Sequence, residues 1–347
     1  MPRVNRSEIV ATDEVQAFHL VNRCVRKSFL CGKDLQTGRD FSHRKNWIRD
    51  RLEELAGIFA IEILSYSVMD NHVHVVVKTR PDLVRSWSDG QTALRWWNLF
   101  PQRRHQDGTP AVPTEQELHA IQIDRSRLIQ LRKRLSCVSW FMRCLAEPIA
   151  RRANREDETT GRFWDGRFFA QPLLDEAAIA ACIVYVELNA LRARTAHTLE
   201  ESEFNSARDR IDDRKAASAI RGSQQKRKAV EGSRAGWLSP IELRHDLKKS
   251  ELSGSKRRAS NQGCLPMSQD QYLTLLDWTG RQTHRGKPGA TPVDAPPILE
   301  RLGMDPNHWL AIVRDFRKVF RFEAGRPESR LVFRQQRKQR RSAASTV

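Results

Sequence analysis

Residues 58–78 read Ile58-Phe59-Ala60-Ile61-Glu62-Ile63-Leu64-Ser65-Tyr66-Ser67-Val68-Met69-Asp70-Asn71-His72-Val73-His74-Val75-Val76-Val77-Lys78. Two apolar runs rich in β-branched residues, Ile58 to Met69 and His72 to Lys78, meet at Asp70-Asn71. Both turn side chains tolerate left-handed or Asx-turn geometry, so the stretch predicts a β-hairpin. Alternate residues of a strand point to opposite faces. His72 and His74 therefore project together, while Val73, Val75 and Val77 turn into the core. Two imidazoles on one strand face suit chelation of a single divalent cation. The same pair also suits polar positions beside a buried valine face, and the hairpin alone does not choose between them.

Working outward, Ala17 to Arg26 reads as a first strand, with His19 expected as a core or strand residue. Lys45 to Gly57 reads as a helix with a stripe of Trp47, Ile48, Leu52, Leu55 and Ala56. Residues 81–124 are polar and rich in Trp, Pro and Gln, and read as a variable helical insertion. A long helical pattern runs from Ser126 to Asn154, with a kink or break expected at Pro148. Gly161 to Leu174 reads as a loop and edge strand. Asp175 is placed to cap a helix from Glu176 to about Leu191. On that helix Tyr185, one of three tyrosines, sits in an apolar run, with Asn189 at i+4 and Arg192 at i+7 on the same face. A phenol, a carboxamide and a guanidinium on one stripe suit nucleophile, metal ligand and phosphate clamp. A core tyrosine, a helix-end asparagine and a solvated arginine are the plainer alternatives.

The 347 residues carry a net charge of +18, unevenly placed. Residues 1–210 hold 32 basic against 28 acidic side chains (+4), and residues 211–347 hold 28 against 14 (+14). Such an excess points to a polyanion partner, nucleic acid first. The basic stretches lack an amphipathic anchor with aromatic insertion residues, which points away from lipid. The longest apolar runs fall short of a membrane span, and Met1-Pro2-Arg3-Val4-Asn5-Arg6 lacks the apolar core of a signal peptide. A cytoplasmic location is expected. The six cysteines form neither a Cys-x-x-Cys pair nor a zinc-finger spacing and read as buried reduced thiols.

Three segments follow one another in order: Tyr66-Ser67-Val68-Met69-Asp70-Asn71-His72-Val73-His74, Gly161-Arg162-Phe163-Trp164-Asp165-Gly166-Arg167-Phe168, and Tyr185-Val186-Glu187-Leu188-Asn189-Ala190-Leu191-Arg192-Ala193. The series resembles the single-tyrosine HUH transposases, and within them the REP-associated tyrosine transposases, over roughly residues 15–210. The resemblance implies an α+β fold, a ferredoxin-like antiparallel sheet flanked by helices, with the histidine pair on a central strand and the tyrosine helix packed beside it. It implies His72, His74 and Asn189 as ligands of Mg²⁺ or Mn²⁺ and Tyr185 as the nucleophile that forms a 5′-phosphotyrosine link. The partner it implies is single-stranded or hairpin DNA, in the cytoplasm of a bacterial cell and associated with its nucleoid. Ala190 stands where the family often has proline, which bears on helix termination more than on ligation. No second tyrosine lies near Tyr185, so a two-tyrosine mechanism is not expected.

Arg162 and Arg167 bracket Phe163, Trp164 and Phe168, a mixture suited to stacking bases and gripping phosphates; aromatics buried in the core are the alternative. With Arg192, the residues Arg162, Trp164 and Arg167 form the expected DNA-binding set. The organisation expected is a catalytic domain over 1–212, a basic flexible linker over 213–262 with one short helix near Trp237 to Leu247, a small helical unit over 263–325 and a basic tail over 326–347. Helical segments are expected near 268–279, 295–302 and 306–322. Two rival functions stay open: a catalytically silent DNA-binding regulator on the same fold, and an RNA-binding module, for which no RNP or KH signature is present. The chain is compatible with a monomer or a homodimer.

Overall fold

The computed structural model describes residues 6–11, 13–25, 30–34, 37–219, 233–247, 257–284 and 296–345. After a short helix α1 (Arg6–Ile9), strand β1 (Ala17–Arg23) leads through helix α2 (Arg44–Ile58) to β2 (Ile61–Val68) and β3 (His72–Thr79). Helices α3 (Pro81–Ser86), α4 (Asp89–Leu99), α5 (Glu115–Gln122), α6 (Arg125–Leu135) and α7 (Val138–Glu156) precede β4 (Phe169–Leu173). The described chain continues with α8 (Glu176–Glu187), α9 (Asn189–Arg192), α10 (Ser206–Ala219), α11 (Gln269–His284), α12 (Ile298–Arg301), α13 (Pro306–Val319) and α14 (Pro327–Ser345). Four strands form one sheet in the order β2-β3-β1-β4, every neighbouring pair antiparallel. This is the ferredoxin-like α+β arrangement. None of the described helices is long and apolar enough to cross a membrane.

The hairpin closes at Asp70-Asn71, where the Met69 N–H donates to the His72 carbonyl over 2.9 Å. Lys45 of α2 holds the turn from outside through an ion pair to Asp70 of 2.6 Å. Period-two alternation then divides β3 between two cores. Val73, Val75 and Val77 pack with Phe18 and Leu20 against α2 and α7, while Val76 joins Ala17, Leu64 and Leu173 under α8. Residues 81–124 carry the three helices α3 to α5, with a turn bridged at Arg104 and Pro110 between α4 and α5; α4 and α5 each start with a reciprocal capping box, at Ser88/Gln91 and Thr114/Glu117.

The helical pattern over 126–154 is two helices, not one. Ser136 and Cys137 leave helical geometry between α6 and α7, and the freed Leu135 carbonyl accepts from the Ala60 N–H. Pro148 does not break α7. A proline in a helix cannot donate to the carbonyl four residues back; here that carbonyl, of Cys144, accepts from Arg51 Nε at 3.0 Å. A cation from the neighbouring helix replaces the missing donor.

Asp175 caps α8 as expected, its carboxylate accepting from the Ala178 N–H at 2.9 Å. Residues 233–247 are turns and a bridge rather than a helix. Trp237 is fully buried there, 5.2 Å from the Tyr66 ring. All six cysteines are free, Cys137 half-buried and the others buried. The helical segments after Pro266 share one core with α8 and α9, in which Tyr272, Leu276, Trp309, Val313 and Phe316 are buried together with Tyr185. Ala324 adds backbone bonds to β4, its N–H donating to the Pro172 carbonyl and its carbonyl accepting from Leu174. The outer edge of the sheet is thereby covered, as an open edge would otherwise invite pairing.

Candidate active site

The α8 face of the sheet carries His72 and His74 on β3 and His19 on β1. In the β1–β3 register His19 pairs with Val76 and Val21 with His74, so His19 and His74 are diagonal neighbours on one face. Their rings are near-parallel, 5.0 Å between centroids and 13° between planes, and meet edge to edge, with His19 Nε2 2.8 Å from His74 Nδ1. His72 and His74 are edge-on at 4.8 Å. The third histidine was expected only as a core or strand residue; its partner is visible only once β1 is laid beside β3.

Burial sets the charge of all three rings. It pushes His19 down to about 3, with Arg317 adding to the effect, and His72 down to about 4, with Arg23 and Arg317 adding. His74 is driven well below its ordinary value, by burial first and then by the neighbouring His19 and His72. At neutral pH these are neutral imidazoles, the state in which histidine binds a metal.

Tyr185 projects from α8 onto this cluster, its ring 6.0 Å from His74 and 5.9 Å from His19 in edge-to-face contact. The Arg192 guanidinium sits 4.5 Å from the Tyr185 centroid. Phe316 of α13 stacks on the same tyrosine at 5.4 Å and 27° and also meets His19 at 6.2 Å. Tyr185 is left 7% exposed. The segment after Pro266 thus reaches the histidine–tyrosine cluster, which no pattern within its own sequence signals.

The other two tyrosines are differently placed. Tyr66 donates to Asp209 at 2.6 Å and Tyr272 donates to Glu187. Burial, then the adjacent carboxylate, pushes both phenols well above their ordinary value. Neither suits a nucleophile.

Among the described residues, no three His, Cys, Asp or Glu side chains form a group fit to hold a metal ion. Two imidazoles and an amide are a different donor set. His72 Nδ1 lies 2.6 Å from Asn71 Oδ1 and His74 Nδ1 is engaged by His19, which leaves Nε2 of each ring for a ligand. Asn189, one turn beyond Tyr185, has a buried amide nitrogen with no hydrogen-bond partner. Reversing the amide puts an acceptor oxygen at that unsatisfied position. The donor chemistry fits a divalent ion taking both nitrogen and oxygen, Mn²⁺ more readily than Mg²⁺.

Of the expected DNA-binding set, Arg192 lies beside Tyr185, and Arg162 and Arg167 are exposed on the loop before β4. The Trp164 indole donates to the Ala146 carbonyl of α7 at 2.9 Å, which anchors that ring against the helix. Arg23 and Arg317 are cations that sequence reading passed over. Both act on the histidine cluster, and Arg317 lies 5.0 Å over the Phe169 ring.

No family model matches this sequence, and no curated protein matches it. One solved structure does. It is a REP-associated tyrosine transposase bound to a REP hairpin, matched over 60% of this chain and 85% of that one, at 12% identity and a TM-score of 0.32.

Proposed function

We propose that this chain is a metal-dependent single-strand DNA endonuclease and strand transferase, transposase-like, that uses Tyr185 as its nucleophile on hairpin-forming DNA. The observation that carries this reading is the contact of Tyr185 with two neutral imidazoles from adjacent strands, beside the guanidinium of Arg192. Its supporting context is the basic excess of the chain, which suits a phosphodiester partner.

On this reading His72, His74 and Asn189 hold the ion, whose contribution is Lewis acidity at a non-bridging phosphate oxygen. The Tyr185 phenolic oxygen attacks phosphorus. Its bond to phosphorus forms as the bond to the 3′ oxygen breaks, and the electron pair leaves on that oxygen, which takes a proton and becomes a free 3′-hydroxyl. The phenolic proton passes to solvent. Arg192 and Arg23 neutralise phosphate charge and hold the strand in line. A 3′-hydroxyl attacking the phosphotyrosine reverses these steps and releases Tyr185, so joining needs no nucleotide cofactor. Residues 1–212 supply every group in this scheme.

A second reading has one observation in its favour. Phe316 covers Tyr185, as befits a DNA-binding regulator that no longer cuts. Labelled single-stranded DNA flanking a hairpin, incubated with the full chain and Mn²⁺, separates the two. The enzyme leaves a protein–DNA adduct that survives denaturation and a new 3′-hydroxyl end; the regulator binds and leaves the strand intact.

A further inference from the structure

The histidine pair does not end at its own strand. His74 Nδ1 meets His19 Nε2 at 2.8 Å, both rings being buried, and only one of those nitrogens carries the hydrogen. Two tautomeric arrangements satisfy that contact. In one, His19 donates and His74 keeps its proton on Nε2, which blocks that nitrogen as a ligand. In the other, His74 donates from Nδ1 and its Nε2 lone pair is free.

The next residue along decides between them. Gln171 pairs with His19 in the β1–β4 register, so the two side chains are neighbours on one face of the sheet. Its amide nitrogen donates to the backbone carbonyl of Phe320. A carbonyl only accepts, so the amide orientation is set: nitrogen toward Phe320, Oε1 toward the remaining partner. His19 Nδ1 and Gln171 Oε1 are both buried and neither meets a hydrogen-bond partner; on residues paired across the register, each is the group left to satisfy the other. An oxygen acceptor there requires the hydrogen on His19 Nδ1. His19 Nε2 is then the acceptor, His74 Nδ1 the donor, and His74 Nε2 unprotonated.

We infer that His19 and Gln171 are positioning residues, which transmit the polarity of the Phe320 carbonyl through two side chains and fix His74 in the tautomer that presents Nε2 to a ligand. The chain of donors runs His74 to Gln171 by way of His19, and Gln171 to Phe320. Two of its links come from β1 and β4, and its anchor lies at the end of α13. His72 reaches the same state independently, since Asn71 Oδ1 accepts at its Nδ1. An outer partner that orients a ligating histidine is a recurrent feature of metal sites. The significance of the inference for a metal rests on the function proposed above, whereas the tautomer does not.

Imidazole nitrogen shifts of the metal-free full chain, with histidine labelled by ¹⁵N, test it directly. His19 and His74 are expected to carry the hydrogen on Nδ1, and Gln171→Met is expected to move both toward the Nε2–H form. A wild-type His74 protonated on Nε2 overturns the inference, whatever the variant does. A folded Gln171→Met chain with unmoved tautomers also overturns it. Titration with Mn²⁺ alone supplies the second arm: Gln171→Met and His19→Phe are expected to bind it about tenfold or more weakly, and His19→Gln, which can both accept and donate, to stay close to wild type. Tautomers as described in a wild type that takes up no Mn²⁺ uphold the relay and count against the metal assignment.

Discussion

His19→Gln should flatten the acid sensitivity of the fold, by an amount the structure sets. The His19 imidazole is wholly buried, and burial with the Arg317 charge pushes it from 6.5 down to about 3. Because the folded value lies below the unfolded one, falling pH protonates the unfolded chain first. The stability tied to this neutral ring is present above the unfolded value and is lost as pH falls toward the folded value. Between pH 8 and pH 5 the unfolded imidazole becomes almost fully charged while the folded one stays neutral, a loss of about 2 kcal/mol. His72, held at about 4, adds a loss of similar size. Against a typical domain stability of about 5–15 kcal/mol, these are large fractions. Urea unfolding of wild type and His19→Gln at both pH values measures the effect, with the constant cost of the substitution cancelling in the comparison. Wild type should lose about 2 kcal/mol more than the variant between pH 8 and pH 5. Equal losses would refute the reasoning, since they would mean that His19 titrates as freely in the fold as out of it.

Phe316→Ala removes a fully buried ring that packs on Tyr185, His19 and Phe320, and should cost about 3–5 kcal/mol in urea unfolding. A cost below about 1 kcal/mol would show that α13 is not part of the core around the tyrosine. Tyr272→Phe takes a donor from the buried Glu187 carboxylate, which burial already pushes up, and should cost about 1–3 kcal/mol. That donor favours the ionised carboxylate, so its loss raises the carboxyl further, and the cost should grow as pH rises and the wild-type carboxyl ionises. His72→Ala should abolish strand cleavage while hairpin binding, measured by fluorescence anisotropy, survives; equal loss of both would assign His72 a structural role.

The hairpin was legible because its two signals are local. Alternating valines and an Asp70-Asn71 turn need no distant partner to be read, and the Asp175 cap is likewise contained within four residues. Tyr185, Asn189 and Arg192 stood out by their i, i+4, i+7 spacing, although the helix expected to run to about Leu191 ends at Glu187: Leu188 leaves helical geometry and Asn189 opens the separate α9. What escaped reading is non-local. His19 gains a partner only through the β1–β3 register, and Phe316 reaches Tyr185 from 131 residues away in sequence. Around Trp237 the polar flanks gave no sign of an indole buried against Tyr66; residues 220–232 and 248–256 of the expected linker lie outside the described residues. Pro148 was expected to disturb its helix, and the arginine that relieves it belongs to another element.

The central claim is that one phenol out of three does the chemistry, and the site of covalent attachment tests it most directly. Wild-type chain is incubated with hairpin-flanked single-stranded DNA and Mn²⁺, denatured, digested with nuclease and trypsin, and read by mass spectrometry. The account predicts a nucleotide remnant on the peptide Phe168 to Arg192, fragmenting at Tyr185, and none after Tyr185→Phe. An adduct on Tyr66 or Tyr272, or one that persists in Tyr185→Phe, would contradict it.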